Sequence, residues 1–174
     1  MGVSQITASD EIYNWRPRKT FLPLVTAGQR PIFLDDTNAL WALTDSNFDG
    51  NKIVILPPEA KSFVTVTNAT ATQILNSHIG TQRLEAEVES PAPALVVIAQ
   101  TFYHDWHASV DGHNVPLLRA NYGFQAVEIP EGRHTVQLTC RDQPFEIGAA
   151  CSIVSWLVCL GCLAFRPAIK SEKS

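Results

Sequence analysis

The sequence predicts a mainly β chain: an antiparallel β-sandwich of jelly-roll type with one short helix, followed by a single carboxyl-terminal transmembrane helix. Three observations lead there. Short apolar or alternating runs recur from Ile32 to Cys140 with turn residues between them, and eight or so strands at such spacing argue for a sandwich rather than an α/β fold. Only the stretch after Asp36 has the capping and apolar spacing of a helix. Finally, Ile147 to Phe165 is 19 residues without a charge, about 28 Å as a helix at ~1.5 Å per residue, against a bilayer core of roughly 30 Å.

Residues 1–30 form an irregular lead-in, because Trp15, Pro17, Phe21 and Pro23 break any regular period. The sandwich spans 31–144. Ile32 to Leu34 is a short strand, and Asp36 or Thr37 caps a helix that carries Leu40, Trp41 and Leu43 inward. Asn47 to Asn51 is a turn, and Lys52 to Leu56 is a β-branched strand closed by Pro57-Pro58. Ser62 to Thr67 and Thr72 to Leu75 read as further strands. From Gln82 to Glu89, Leu84, Ala86 and Val88 alternate with Arg83, Glu85, Glu87 and Glu89, which gives one buried and one wet face. Leu95 to Ala99 is uninterrupted and suits the centre of a sheet. Trp106 to Val110 and Val115 to Leu118 pair across Asp111-Gly112, residues that accept the positive φ of a tight turn. Gln125 to Ile129 and His134 to Cys140 make a second pair across Pro130-Glu131-Gly132.

A composition that is 45% hydrophobic argues against disorder, and a net charge of -4 gives no footprint for nucleic acid. Three of the four cysteines, Cys151, Cys159 and Cys162, lie in the apolar run, so no disulfide framework is expected. Arg166, Lys170 and Lys173 follow that run and Glu146 precedes it. The positive-inside rule then sets the tail, 166–174, in the cytoplasm and the sandwich outside, periplasmic or extracellular. Gly148, Ser152, Ser155, Cys159 and Cys162 recur at spacings of four and three, a small-residue stripe that lets another helix approach. The bilayer and other transmembrane helices are therefore expected partners. The amino terminus has no signal-peptide core, so a domain of about 145 residues has no evident route outward, and the chain is expected to be the carboxyl-terminal piece of a longer multi-pass protein.

The stretch from Phe102 to Ile129 carries a family resemblance. Phe102-Tyr103-His104-Asp105-Trp106-His107-Ala108, Val110-Asp111-Gly112, Leu118-Arg119-Ala120-Asn121-Tyr122, and Ile129-Pro130 with Gly132 and His134-Thr135-Val136 resemble the end of the YfhO family of bacterial multi-pass membrane proteins. Upstream, Leu43-Thr44-Asp45-Ser46-Asn47-Phe48-Asp49 is similar as well, so the likeness spans about residues 30 to 165. His104-Asp105 stands where the family has Pro-Gly. The resemblance implies a setting in the bacterial cytoplasmic membrane and a likeness to glycosyltransferases that use lipid-linked sugar donors. The helices and the catalytic acid of such enzymes have no counterpart in these residues, so the chain by itself is expected not to be catalytic. Its expected roles are accessory binding of glycan or lipid-linked sugar, or bracing of a membrane helix bundle or partner subunit.

Within the stretch, Tyr103, Trp106 and Tyr122 are candidates to cover the apolar faces of a sugar, with Arg119 and Asn121 bonding hydroxyls. The competing reading puts Trp106 and Phe124 in the core and makes Arg119 an internal brace. His104, Asp105, His107 and His113 are ligand types for a metal, but residues three apart on a strand face opposite ways, so no metal and no cofactor is expected. No nucleophile sits in a turn of the Gly-x-Ser-x-Gly kind.

Overall fold

The computed structural model describes residues 5–7, 15–17, 21–141 and 143–164. The chain divides into two compact units, residues 1–140 and 141–174. The first is mainly β. Within it β1 (Gln5–Thr7) and β2 (Trp15–Pro17) form a small antiparallel hairpin, and β3 (Val25–Ala27) joins a larger sheet, so part of the region read as an irregular lead-in is strand.

Two antiparallel sheets carry most of the unit. One contains β6 (Gln73–Ile79), β7 (Arg83–Ser90), β9 (Trp106–Val110), β10 (His113–Val115) and β13 (Gly132–Cys140), in the order β10-β9-β13-β7-β6. The other contains β3, β8 (Ala94–Ile98), β11 (Leu118–Ala120) and β12 (Phe124–Ile129), in the order β11-β12-β8-β3. Leu84, Ala86 and Val88 of β7 pack with Val96 and Ile98 of β8 and Val127 and Ile129 of β12 in one buried cluster drawn from both sheets. Glu85 and Glu87 alternate with those β7 residues and are not buried, as the period of two requires.

The opposite faces of β8 and β12 are covered as well. Leu95, Val97 and Ala126 meet Val54 and Leu56 of β5 (Ile53–Leu56) in a second cluster. Strand β5 pairs in parallel with β4 (Arg30–Phe33), and helix α1 (Asp36–Thr44) lies between them in sequence. A parallel pair needs a crossover connection, and the helix provides it. This layer is why all five residues of β8, Ala-Leu-Val-Val-Ile, are buried. It also corrects the expectation of a wholly antiparallel jelly roll: short-range pattern marked Ile32 and Ile53 as strand, but their parallel partnership depends on what α1 can bridge.

Other expectations are corrected too. Asp35, not Asp36 or Thr37, caps α1, its carboxylate accepting from the Asn38 N–H at 3.0 Å. That bond holds the Asp35 carboxyl below its ordinary range. Ala39 is the buried residue of the helix, whereas Leu40 is 51% and Trp41 72% exposed. Ser62 to Thr67 is not a strand, since Pro58–Ser62 is a 3-10 turn that runs into irregular chain. The pair expected across Pro130-Glu131-Gly132 does not form either. Strand β12 bonds to β8 and β11, while β13 bonds to β7 and β9, so this connection passes from one sheet to the other. Ala126 and Val127 are both fully buried, one in each cluster, a requirement that a two-stranded hairpin could not meet.

The second unit contains α2 (Gln143–Ala164), 22 residues long. Among the described residues no helix is long and apolar enough to cross a membrane, so the transmembrane helix expected over 147–165 is not supported. The expected span ran on to Phe165, whereas α2 opens on the polar Gln143 and is described only as far as Ala164. The orientation inferred from Arg166, Lys170 and Lys173 loses its anchor, and those three residues, with Phe165, lie outside the described set.

Candidate functional site

Three segments meet beside α1. The first is the connection between β11 and β12, Asn121-Tyr122-Gly123. Asn121 has φ 46° and Tyr122 φ 70°, two consecutive left-handed residues. Asn tolerates this region, whereas Tyr adopts it only where its surroundings impose it. The surroundings are visible: the Asn121 N–H donates to the Ile55 carbonyl at 2.7 Å, and its side-chain Oδ1 accepts from the Ile55 N–H at 2.9 Å. Asn121 thus acts as a strand partner for β5 and fastens the parallel pair to the antiparallel sheet.

The second segment is the start of α1. The Arg119 guanidinium donates to Asp36 Oδ1 at 2.6 Å and to the Tyr122 carbonyl at 3.3 Å, bridging helix and loop. The Arg119 side chain is 28% exposed and that of Asp36 60%, so the pair adds order more than stability, on the scale of about 0–1 kcal/mol for surface pairs. The third segment precedes β9. The Phe102 N–H donates to the Gly123 carbonyl at 2.8 Å, and the Gln125 amide donates to the Thr101 carbonyl at 2.8 Å, which ties this loop to the first. The Trp106 N–H returns to the Tyr103 carbonyl in a tight turn, and the Tyr103 ring lies 4.1 Å from that of His104.

The structure therefore places Arg119, Asn121 and Tyr122 on one loop and Tyr103 on a loop bonded to it. Tyr122 is 49% and Tyr103 54% exposed, while Trp106 is half-buried and packs against the inter-sheet core. Between the Asn121-Tyr122-Gly123 loop and α1 lies a groove of about 520 Å³. Leu40, Leu43 and Thr44 of α1 form one wall, Tyr122 and Phe124 another, with Leu22 and Phe48 among the other lining residues. Sequence reasoning missed this groove. Its signal was there in Leu40, Leu43 and Thr44, spaced three and four apart as one helix face, but that face was assigned to the core.

His104 and Asp105 pair at 3.1 Å, and among the described residues no three His, Cys, Asp or Glu side chains converge as metal ligands. On α2 the Ser152 and Ser155 hydroxyls donate to the Gly148 and Cys151 carbonyls, both at 2.9 Å, while Cys159 is exposed. The Cys162 side chain lies outside the described set.

A family model described as "Bacterial membrane protein YfhO" matches residues 42–152, more than half of the chain. The chain belongs to the YfhO family. The match takes in the Asn121-Tyr122-Gly123 loop, the loop before β9 and most of the groove wall on α1, and it places this chain among membrane-associated proteins. Neither a curated protein nor a solved structure gives a significant match.

Another feature of this YfhO-family chain is a His-Asp contact at the turn between β9 and β10. Asp111 has φ 51° and Gly112 φ 80°, the conformation that Asp-Gly signalled. His134 Nδ1 is 2.6 Å from Asp111 Oδ2, its Nε2 is 3.1 Å from the Glu131 carbonyl, and the Thr135 N–H donates to Asp111 Oδ1 at 2.8 Å. Acceptors at both ring nitrogens favour the imidazolium. The Asp111 contact first, and the Glu131 carbonyl second, raise the His134 pKa. The His134 contact first, and the Thr135 N–H second, lower that of Asp111. The signs give a window. His134 stabilises fully below its unfolded value of about 6.5 and loses this as pH rises through its raised folded value; Asp111 stabilises above about 4 and loses this as pH falls through its lowered one. The wild-type urea midpoint is therefore expected to fall as pH rises above about 6.5, and His134→Gln should flatten that decline. An equal decline in both proteins would remove His134 from the explanation.

Proposed function

We propose that the β unit is a non-catalytic accessory module of a YfhO-family membrane protein that holds a glycan or lipid-linked sugar at the groove beside α1. The observation that carries this is Tyr122, half exposed on a loop bonded to β5, lining the groove together with Leu40, Leu43 and Phe124. An aromatic ring set over an apolar trough covers the C–H faces of a pyranose, and Tyr103 on the bonded neighbouring loop supplies a second ring. Arg119, Asn121 and Trp106 support the platform from behind: Arg119 holds the Tyr122 carbonyl, Asn121 holds the loop to β5, and Trp106 anchors the turn that carries Tyr103. The module would serve glycosyl transfer by positioning sugar at the envelope face of the bacterial cytoplasmic membrane, outside the cell. The small residues Gly148, Ser152 and Ser155 of α2 would receive a partner helix.

Saturation-transfer NMR with neutral hexoses and N-acetylhexosamines tests the reading. Wild-type protein should transfer signal to the sugar, Tyr122→Ala should lose most of it, and Arg133→Ala, on the other sheet, should retain it. Absence of transfer in the wild type with every sugar would refute it. The bracing alternative is favoured by one observation: the polar groups of Arg119 and Asn121 already bond within the unit. On that reading Tyr122→Ala changes stability and no sugar signal exists to lose.

A further inference from the structure

Two large apolar side chains of α1 face outward in a way the core does not explain. Leu40 and Trp41 project from it, 51% and 72% exposed, next to the groove that Leu43 and Tyr122 also line. Beyond Asp36 the helix carries no charge. A large exposed apolar patch marks a contact with a protein or with a membrane.

The polar groups at the rim decide between the two. The Asp36 carboxylate is held by Arg119, that of Asp35 by the Asn38 N–H and side-chain amide, and the Thr44 hydroxyl by the Trp41 carbonyl at 2.8 Å. A folded partner gains register and specificity from polar groups it can pair with, and these three are already bonded within the chain. A lipid surface asks only for apolar depth and for rings such as Trp and Tyr, which favour the layer between headgroup and acyl chain. Membership of a membrane-protein family is the independent observation that a bilayer is at hand. We infer that α1 docks on a lipid surface, with Trp41 and Leu40 set into its interfacial layer and the groove mouth opening beside it. The acidic character of the rim, with Asp35, Asp36, Asp45 and Asp49 against Arg119 and Lys52, favours zwitterionic over anionic headgroups. This inference rests on the patch and the family and holds whether or not the groove takes a sugar.

The test uses the full chain with Trp41 as its only tryptophan (Trp15→Phe, Trp106→Phe, Trp156→Phe), bound to phosphatidylcholine vesicles whose acyl chains are brominated near the headgroup. Trp41 emission should shift to the blue on adding lipid and lose most of its intensity to bromine, whichever segment brings the chain to the vesicle. If the triple variant does not fold, the comparison is wild type against Trp41→Phe, and the quenchable intensity should fall in the variant. Vesicle-bound chain with unshifted, unquenched Trp41 would overturn the inference, as would failure of the chain to bind vesicles. A blue shift that appears without lipid and grows with protein concentration would also overturn it, assigning the patch to a second copy of the chain.

Discussion

Gly28→Ala is expected to lower the unfolding free energy by about 3 kcal/mol or more, the largest single effect foreseen in the β unit. Gly28 has φ +84°, and a Cβ built there would stand 2.1 Å from the Thr70 carbonyl oxygen and 3.0 Å from the Thr72 hydroxyl. The backbone has no freedom to retreat. The Gly28 N–H donates to the Leu95 carbonyl and its own carbonyl accepts from the Thr70 N–H, both at 2.9 Å. Left-handed backbone alone costs an alanine about 1–2 kcal/mol, and the rest comes from pushing the Thr70 chain away. Gly112→Ala separates the two contributions, because Gly112 has φ +80° but open space around it. Urea unfolding followed by circular dichroism should therefore show a loss for Gly112→Ala of about 1 kcal/mol and a clearly greater one for Gly28→Ala. Equal losses would mean that the close approach to Thr70 carries no energy.

Asn121→Ala should cost about 3 kcal/mol, by leaving the buried Ile55 N–H without its acceptor and placing an alanine at φ 46°. The two contributions again come apart by substitution. Asn121→Gly removes the acceptor and relieves the backbone, so its loss should be smaller by about 1 kcal/mol. Asn121→Asp keeps an acceptor and should lie closest to the wild type. The order Ala, Gly, Asp in decreasing loss is the prediction, and an alanine variant as stable as the aspartate variant would contradict it. Because Asn121 also sets the turn that carries Tyr122, the proposed sugar binding predicts a weaker saturation-transfer signal in the alanine variant even where the protein remains folded.

The legible parts of this chain are those whose cause lies within a few residues. Alternation from Leu84 to Val88 marked β7 and its buried face, because side chains one residue apart must point to opposite sides. Asp111-Gly112 marked the β9–β10 turn, because these residues accept positive φ cheaply. The family was legible for the same reason, since its turns and strand ends recur as short fixed spacings around Trp106, Asp111-Gly112 and Arg119-Ala120-Asn121-Tyr122. Of the candidate site, Tyr103 and Tyr122 could be named in advance, but the groove could not. Its walls come from α1, from the separate segments around Leu22 and Phe48, and from β12, and no local pattern brings those together.

Tertiary structure decided everything that depends on which strand lies next to which. Pro130-Glu131-Gly132 is compatible with a hairpin or with a step between sheets; the step follows because β12 is buried on both faces, between β5 and the five-stranded sheet. Leu40 and Trp41 carry the spacing of a core face, yet the smaller Ala39 occupies the inward position, and the larger side chains are left to a surface or a partner. The absence of charge from Ile147 to Phe165 suggested a membrane span that the described helix does not support. Asn121 reaches across 66 residues to Ile55, and Arg119 across 83 to Asp36. Backbone conformation and alternation are set by neighbours in sequence, so the sequence alone determined β7, the β9–β10 turn and the family. Burial and pairing are settled by the whole chain at once, and these turned the Arg119-Ala120-Asn121-Tyr122 stretch into a braced loop beside an apolar groove.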